Sequence, residues 1–228
     1  LILKKFIKVN LIQLKFNINQ MSDNKLHLLR PFGPTIGKFS VTLDVIKIIN
    51  DYVDEIILDE KKSKELDNGP NLAGNVKQEL KINGDFIKSS GLLNILAAAT
   101  EKWISNTEGK KITKFNVFSS WVVRQFENEY NPPHQHNGHI SGVGYLKLPN
   151  DFGKNFQQTK KINYNGSINF IDGRRSFNSP SVYAVAPVIG DFYIFPSYLL
   201  HSVNPYYGEG ERRSLSFNAN IDEKIVLL

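Results

Sequence analysis

The sequence has no cysteine in 228 residues, which excludes disulfides, thiolate nucleophiles and thiolate metal sites together. Any metal bound by this chain must be held by histidine, carboxylate or backbone oxygen. The absence of cysteine also fits a reducing compartment, so a cytoplasmic location is expected. Long apolar runs are missing as well. Near the N-terminus the hydrophobic residues are interrupted every few positions by Lys, Asn or Gln, which leaves neither a transmembrane span nor a signal-peptide core. Acidic residues are absent from the first twenty positions, which carry Lys4, Lys5, Lys8 and Lys15. Without those four lysines the net charge falls from +6 to +2. The basic balance is therefore local, and no nucleic-acid partner is expected from it. Methionine occurs once, and Met21-Ser22-Asp23-Asn24-Lys25 reads as a natural start. On that reading residues 1–20 are a non-native or flexible extension.

What is present is the composition of an ordinary globular protein, 41% hydrophobic and 22% charged. The length suits one domain with an added helical layer. Pro31, Gly33, Pro34 and Gly37 mark a short strand and turns between residues 26 and 39. From Thr42 to about Lys62, Val45, Ile48, Ile49, Val53, Ile56 and Ile57 recur at three- and four-residue steps, the spacing of one helical face, with Ser40 or Thr42 available as a cap. The same periodicity in Leu92, Leu93, Ile95, Leu96, Ala99 and Trp103 predicts a helix from Ser90 to about Asn106. The polar stretch between them, Lys61 to Asp85 with Gly69-Pro70, reads as a surface loop.

After Lys110 short runs rich in Val, Ile, Phe and Tyr alternate with Gly, Pro and Asn, which predicts many strands. The candidates are 114–119, 121–127, 141–148, 167–170, 181–184, 191–195 and 214–220. Helices first and strands after predict an α+β or mainly β chain: helices outside a sandwich or jelly roll. Residues 21–112 would form a strand-and-helix support region and residues 113–228 the core. Trp103 and Trp121 read as core aromatics, and Phe192 with Ile194 as packing on the outer face of a strand. The loop from Asn150 to Asn165 is long enough to form a lid. Arg174-Arg175 reads as a solvated turn, with a substrate entrance as the alternative.

Three of the five histidines fall within six residues, in Pro132-Pro133-His134-Gln135-His136-Asn137-Gly138-His139. Residues two apart on a strand share a side, so His134 and His136 can present both imidazoles to one ion. Downstream, Gly190-Asp191-Phe192-Tyr193-Ile194-Phe195-Pro196-Ser197 leads to His201, and Glu211-Arg212-Arg213-Ser214-Leu215-Ser216-Phe217-Asn218 follows as a strand with cations. Regular alternation there points Arg212, Ser214, Ser216 and Asn218 inward and Arg213, Leu215 and Phe217 outward. Arg212 is the better inward cation, with Ser214 beside it. On the strand Ser141-Gly142-Val143-Gly144-Tyr145-Leu146, Ser141, Val143 and Tyr145 share a side.

From about Trp121 to Asn220, these segments resemble the iron(II)/2-oxoglutarate-dependent oxygenases, in particular the 2OG-Fe(II) oxygenases of marine phages and bacteria, which are prolyl-hydroxylase-like. The resemblance implies a double-stranded β-helix with the N-terminal helices packed on one sheet. It also implies hydroxylation of a C–H bond with Fe(II), 2-oxoglutarate and O2, stimulated by ascorbate. His134, His136 and His201 would hold the metal. Arg212 would grip the far carboxylate of the cosubstrate, aided by Ser214 and Tyr145, although Tyr145 reads equally as a core tyrosine. Similarity to prolyl hydroxylases suggests a peptidyl proline as substrate. Lysyl or asparaginyl side chains, small metabolites and methylated nucleobases stay open.

One departure stands out. Most of this superfamily has Asp or Glu two residues after the first histidine, where this sequence has His136. Three readings follow: a three-histidine site; His136 as first ligand with Gly138 in the carboxylate position, where a halide could enter; or a distant Asp151 or Asp172 completing the set. His139 reads as facing solvent or contacting substrate. Competing functions are a three-histidine, cupin-like metal enzyme that does not use 2-oxoglutarate, and a non-catalytic jelly-roll binding or virion protein.

Overall fold

Two antiparallel sheets stack face to face in the computed structural model, which describes residues 9–10, 25–31, 33–157, 159–174, 177 and 179–226. The larger, in spatial order, contains β1 (Val9–Asn10), β5 (Lys114–Gln125), β12 (Arg212–Ile221), β7 (Ile140–Lys147), β10 (Asp191–Pro196), β3 (Ile36–Ser40) and β2 (His27–Leu29). An eighth strand, β4 (Gln78–Lys81), also pairs with β5. The smaller sheet runs β6 (Asn131–His134), β11 (Leu200–Val203), β8 (Ile168–Ile171) and β9 (Val182–Val185). This is the expected double-stranded β-helix with helices on one sheet. Strands β2, β3 and β4 of residues 21–112 join the large sheet, β3 pairing with β10 and β4 with β5. Except for Val9 and Asn10, which pair with Phe115 and Lys114, the extension expected at 1–20 lies outside the described residues, as do Met21 and Arg175.

Two apolar layers follow from strand alternation. On the outer face of the large sheet, Phe39, Phe192, Ile194, Leu215 and Phe217 pack against α1 (Leu43–Leu58) and α4 (Leu92–Glu108). On the inner face Val143, Tyr145, Tyr193 and Phe195 meet Ile168 and Phe170 of the small sheet. Phe192 and Ile194 thus lie on the outer face, as alternation requires. The glycines of β7 make room for this packing: a Cβ at Gly144 would sit 2.1 Å from the Phe192 ring, and one at Gly142 2.3 Å from the Phe217 ring.

Several sequence expectations change. Ile48 is 47% exposed and Ile46 takes its place in the core. At 100° per residue Ile48 lies roughly 95° from the centre of the face formed by Val45, Ile49, Val53 and Ile56. The helix also stops at Leu58; Asp59 then caps α2 (Glu60–Glu65), accepting the N–H groups of Lys61 and Lys62. The stretch expected as a loop, Lys61 to Asp85, holds most of α2, a 3-10 turn at Gly69–Asn71, all of β4 and the start of α3 (Gly84–Ser89). The two strands expected at 114–127 are one, bulged opposite the Asn218/Ala219 junction. His201, expected after a turn, lies on a strand of its own, β11.

Candidate active site

Three imidazoles meet between the sheets. His134 ends β6 and stands directly opposite His201 on β11. His136 lies beyond the end of β6, so strand alternation does not place it. Its backbone N–H donates to Ser197 O at 3.0 Å, which fixes the turn. The ring centroids are 4.3 Å apart for His134 and His201, 4.9 Å for His134 and His136, and 5.0 Å for His136 and His201. Each residue offers one ligand atom, and these atoms lie within 4.8 Å of one another.

Backbone carbonyls orient two of the rings. His134 Nδ1 lies 2.7 Å from Pro132 O and His201 Nδ1 lies 2.9 Å from Leu199 O. A carbonyl only accepts, so both Nδ1 atoms carry the proton and Nε2 presents a free lone pair. Burial lowers the pKa of all three, against the Pro132 hydrogen bond at His134 and helped by repulsion from neighbouring rings at the other two: His134 falls, His136 drops to about 4 and His201 to about 3. Near neutral pH all three are uncharged, the form that binds metal.

Among the described residues no carboxylate joins this group. Asp151 accepts the Gly153 N–H, and Asp172 pairs with Arg174. Position 138 does not face the cluster, because a Cβ on Gly138 would meet the Phe118 ring at 2.6 Å and Ala219 O at 3.2 Å. His139 is turned away, its Nδ1 accepting the Ile221 N–H at 3.1 Å.

The same cavity is lined by Arg212, Ser214 and Ser216, the inward set that alternation selects. Arg212 is 1% exposed. It donates through Nε to Gly166 O at 3.0 Å and through Nη1 to Ser214 Oγ at 3.4 Å, while Nη2 has no partner. No acid is paired with it in any described ion pair. Arg213, on the other face, differs completely: Glu211 grips it through two bonds of 2.8 and 3.0 Å, and Asp54 adds a third at 2.7 Å. Tyr145 is fully buried, 5.1 Å from the Arg212 guanidinium to its ring centroid, and its hydroxyl interacts with that guanidinium but has no partner within 3.5 Å.

The sequence reading missed two parts of this cavity. Trp121, expected as core, lines it and meets His136 edge-on at 5.4 Å. Asn71, Leu72, Ala73 and the carboxyl of Glu79 form another wall. None of the described residues from 150 to 165, expected as a lid, lines it. They are tied instead to one another, with Asn165 donating to Phe152 O and Gly153 O, and to Tyr207 through Phe156. A motif of scattered polar residues on an edge strand offers little signal from which Glu79 could have been found.

Residues 119–218, the stretch holding the three histidines and Arg212, match the family described as "Putative 2OG-Fe(II) oxygenase". This stretch is similar to the 2OG-Fe(II) oxygenases. No curated protein matches the chain. Among solved structures, the oxygenase fold is similar to a prolyl hydroxylase from Trichoplax adhaerens in complex with a hypoxia inducible factor oxygen degradation domain peptide fragment. That likeness has 16% identity and a TM-score of 0.50, over 92% of this chain and 89% of that one. A Pseudomonas putida prolyl-4-hydroxylase is also similar, with 15% identity and a TM-score of 0.49 over 80% of this chain and 91% of the other. Among the described residues no helix is long and apolar enough to cross a membrane.

Proposed function

We propose that this chain is an Fe(II)- and 2-oxoglutarate-dependent dioxygenase that hydroxylates a C–H bond, with His134, His136 and His201 holding the metal. The observation that carries this reading is Arg212. A fully buried cation with a free Nη2 and no acidic partner stands in the same cavity as three neutral imidazoles. An isolated buried charge is costly, and the far carboxylate of 2-oxoglutarate is the counter-charge that this site lacks. Ser214 and the unpartnered Tyr145 hydroxyl supply further donors beside the guanidinium.

When bound, Fe(II) and 2-oxoglutarate supply the oxidation: O2 is consumed, one oxygen atom enters the substrate C–H bond, and 2-oxoglutarate becomes succinate and CO2. The chain's own residues do the positioning. The carbonyls of Pro132 and Leu199 hold the His134 and His201 rings in one tautomer. Phe195, Ile168 and Val143 line the cavity with apolar surface that excludes water around the reacting centre. Among the described residues no carboxylate joins the three imidazoles, so the cosubstrate would provide the negative charge at the metal position. A peptidyl proline is the first substrate to test, supported by the prolyl-hydroxylase likeness of the fold, and the chain is proposed to act in the cytoplasm.

Anaerobic titration of the purified protein with Fe(II) and 2-oxoglutarate tests the reading. A metal-to-ligand charge-transfer band is expected, and absence of both the band and bound iron overturns it. In Arg212→Ala the lost charge-assisted bonds should weaken 2-oxoglutarate binding by about 100-fold or more, and activity should return in part at high 2-oxoglutarate. Full activity of this variant without added 2-oxoglutarate would point instead to a cupin-like enzyme.

A further inference from the structure

The cavity holds one more charged side chain, and the metal and cosubstrate leave it unused. Glu79 reaches inward from β4, opposite Val123 of β5. It is 2% exposed, and its Oε2 has no hydrogen-bond partner. The rest of the strand fixes this orientation. Leu80 packs into the helix-side core, and Gln78 is held between Ser63 and Arg124. The backbone of Glu79 is tied down too, its carbonyl accepting the Asn68 N–H at 2.7 Å.

Around the carboxyl the chemistry is one-sided. Asn131 supplies an amide hydrogen bond, but burial and the negative charge of Asp67 oppose ionisation and push the group up to about 7. Arg212 is the one cation among the described residues lining the cavity, and Glu79 the one acid. The two are not bonded: each keeps a free terminal atom, Nη2 on one and Oε2 on the other. If Arg212 answers the cosubstrate carboxylate, Glu79 is left to answer something else. A neutral N–H would satisfy Oε2 without favouring the ionised form that burial and Asp67 oppose. A cation satisfies both requirements.

We propose that Glu79 is a substrate-recognition residue and that the substrate carries a cationic nitrogen, an ammonium or guanidinium, received by Oε2. The inference rests on the oxygenase reading for the role of the cavity. It narrows the substrate to molecules or peptides with a basic group near the carbon to be oxidised. Asn71 and Ala73 are exposed and line the same cavity as Glu79, whereas no described residue of 150–165 does, so such a substrate is expected to enter past the 71–73 segment.

The test uses full-length protein loaded with Mn(II), a redox-silent stand-in, and 2-oxoglutarate. Two matched peptide pools are compared, one with Lys or Arg at a fixed position and the other with acetyl-lysine or citrulline there. The wild type should retain the cationic pool about 10- to 100-fold more tightly, the worth of a hydrogen bond to a charged group. Glu79→Gln, which keeps the shape, should erase that preference while leaving Mn(II) and 2-oxoglutarate binding intact. Equal retention of both pools by wild type, at any level including none, overturns the proposal, as does a preference that survives in E79Q. Thermal melting separates recognition from mere support: E79Q should melt at or above the wild-type midpoint, since a buried unpartnered acid has been removed. A lower midpoint with an unchanged pool preference marks a structural role and overturns the inference. If wild type binds neither Mn(II) nor 2-oxoglutarate, the oxygenase reading falls, and the same pools on unloaded protein still decide Glu79.

Discussion

His134 and His201 face one another across β6 and β11, each with Nδ1 committed to a backbone carbonyl. Removing one ring should therefore damage metal binding more than folding. Loss of an outer-shell partner alone typically costs about 10- to 100-fold in metal affinity, so His201→Ala should exceed that range, read as Mn(II) uptake by equilibrium dialysis. Gly138 has the opposite profile. At φ +97 and with Phe118 where a Cβ would go, Gly138→Ala should lower the thermal midpoint and leave metal stoichiometry unchanged in the protein that folds. An unaltered midpoint with altered metal binding would restore position 138 as a candidate ligand position. At this scale the sequence was informative where alternation is strict. Arg212, Ser214 and Ser216 fall on the cavity side and Arg213 on the other, because β12 runs between two sheet neighbours and keeps its pleat. Glu79 was not legible, because its burial is decided by a partner strand far away in the sequence and not by its own neighbours.

Among the elements, β7 shows most directly how sequence pattern becomes packing. Its Gly142 and Gly144 are places where the rings of Phe217 and Phe192 cross the strand. Gly144→Ala forces a methyl group into the Phe192 ring, an overpacking that costs about 1–3 kcal/mol. The thermal midpoint should fall accordingly, and an unchanged midpoint would show that the ring can move aside. Helices α1 and α4 were readable because their apolar faces are long and periodic. The strand β4 was not: Gln78-Glu79-Leu80-Lys81 contains a single apolar residue, and only pairing with β5 makes it a strand. The histidine pair was legible as a pair, but the reason given by alternation was incomplete. His136 is positioned by a turn bonded to Ser197, a contact between segments that no local pattern reveals.

For the whole molecule, the buried imidazoles make stability depend on pH. Their folded-state pKa values lie below the ordinary histidine value of about 6.5, with His136 at about 4 and His201 at about 3. Between those values the unfolded chain binds more protons than the folded one, so metal-free stability is complete above roughly pH 6.5 and declines as pH falls toward about 4 and 3. Glu79, raised to about 7, acts in the other direction: its contribution is present at acid pH and is lost as pH rises through about 7. Three imidazoles outweigh one carboxyl, and the metal-free midpoint should fall on acidification from pH 7 to 5. Mn(II) binds only the neutral rings, so the stabilisation it confers should shrink over the same interval. Calorimetry with and without Mn(II) at both pH values checks this, and a metal-free midpoint that rises on acidification would contradict it.

The strand β4 and the 3-10 turn before it lie outside residues 119–218, the stretch that holds the histidines and Arg212. On the proposed roles of His134, His136, His201, Arg212 and Glu79, oxidising power and selectivity are written in separate parts of the gene. Drift within residues 66–81 can change what is accepted without touching the chemistry, giving descendants of one scaffold a short path to new targets. The same separation offers a defined segment to exchange when the enzyme is to be redirected.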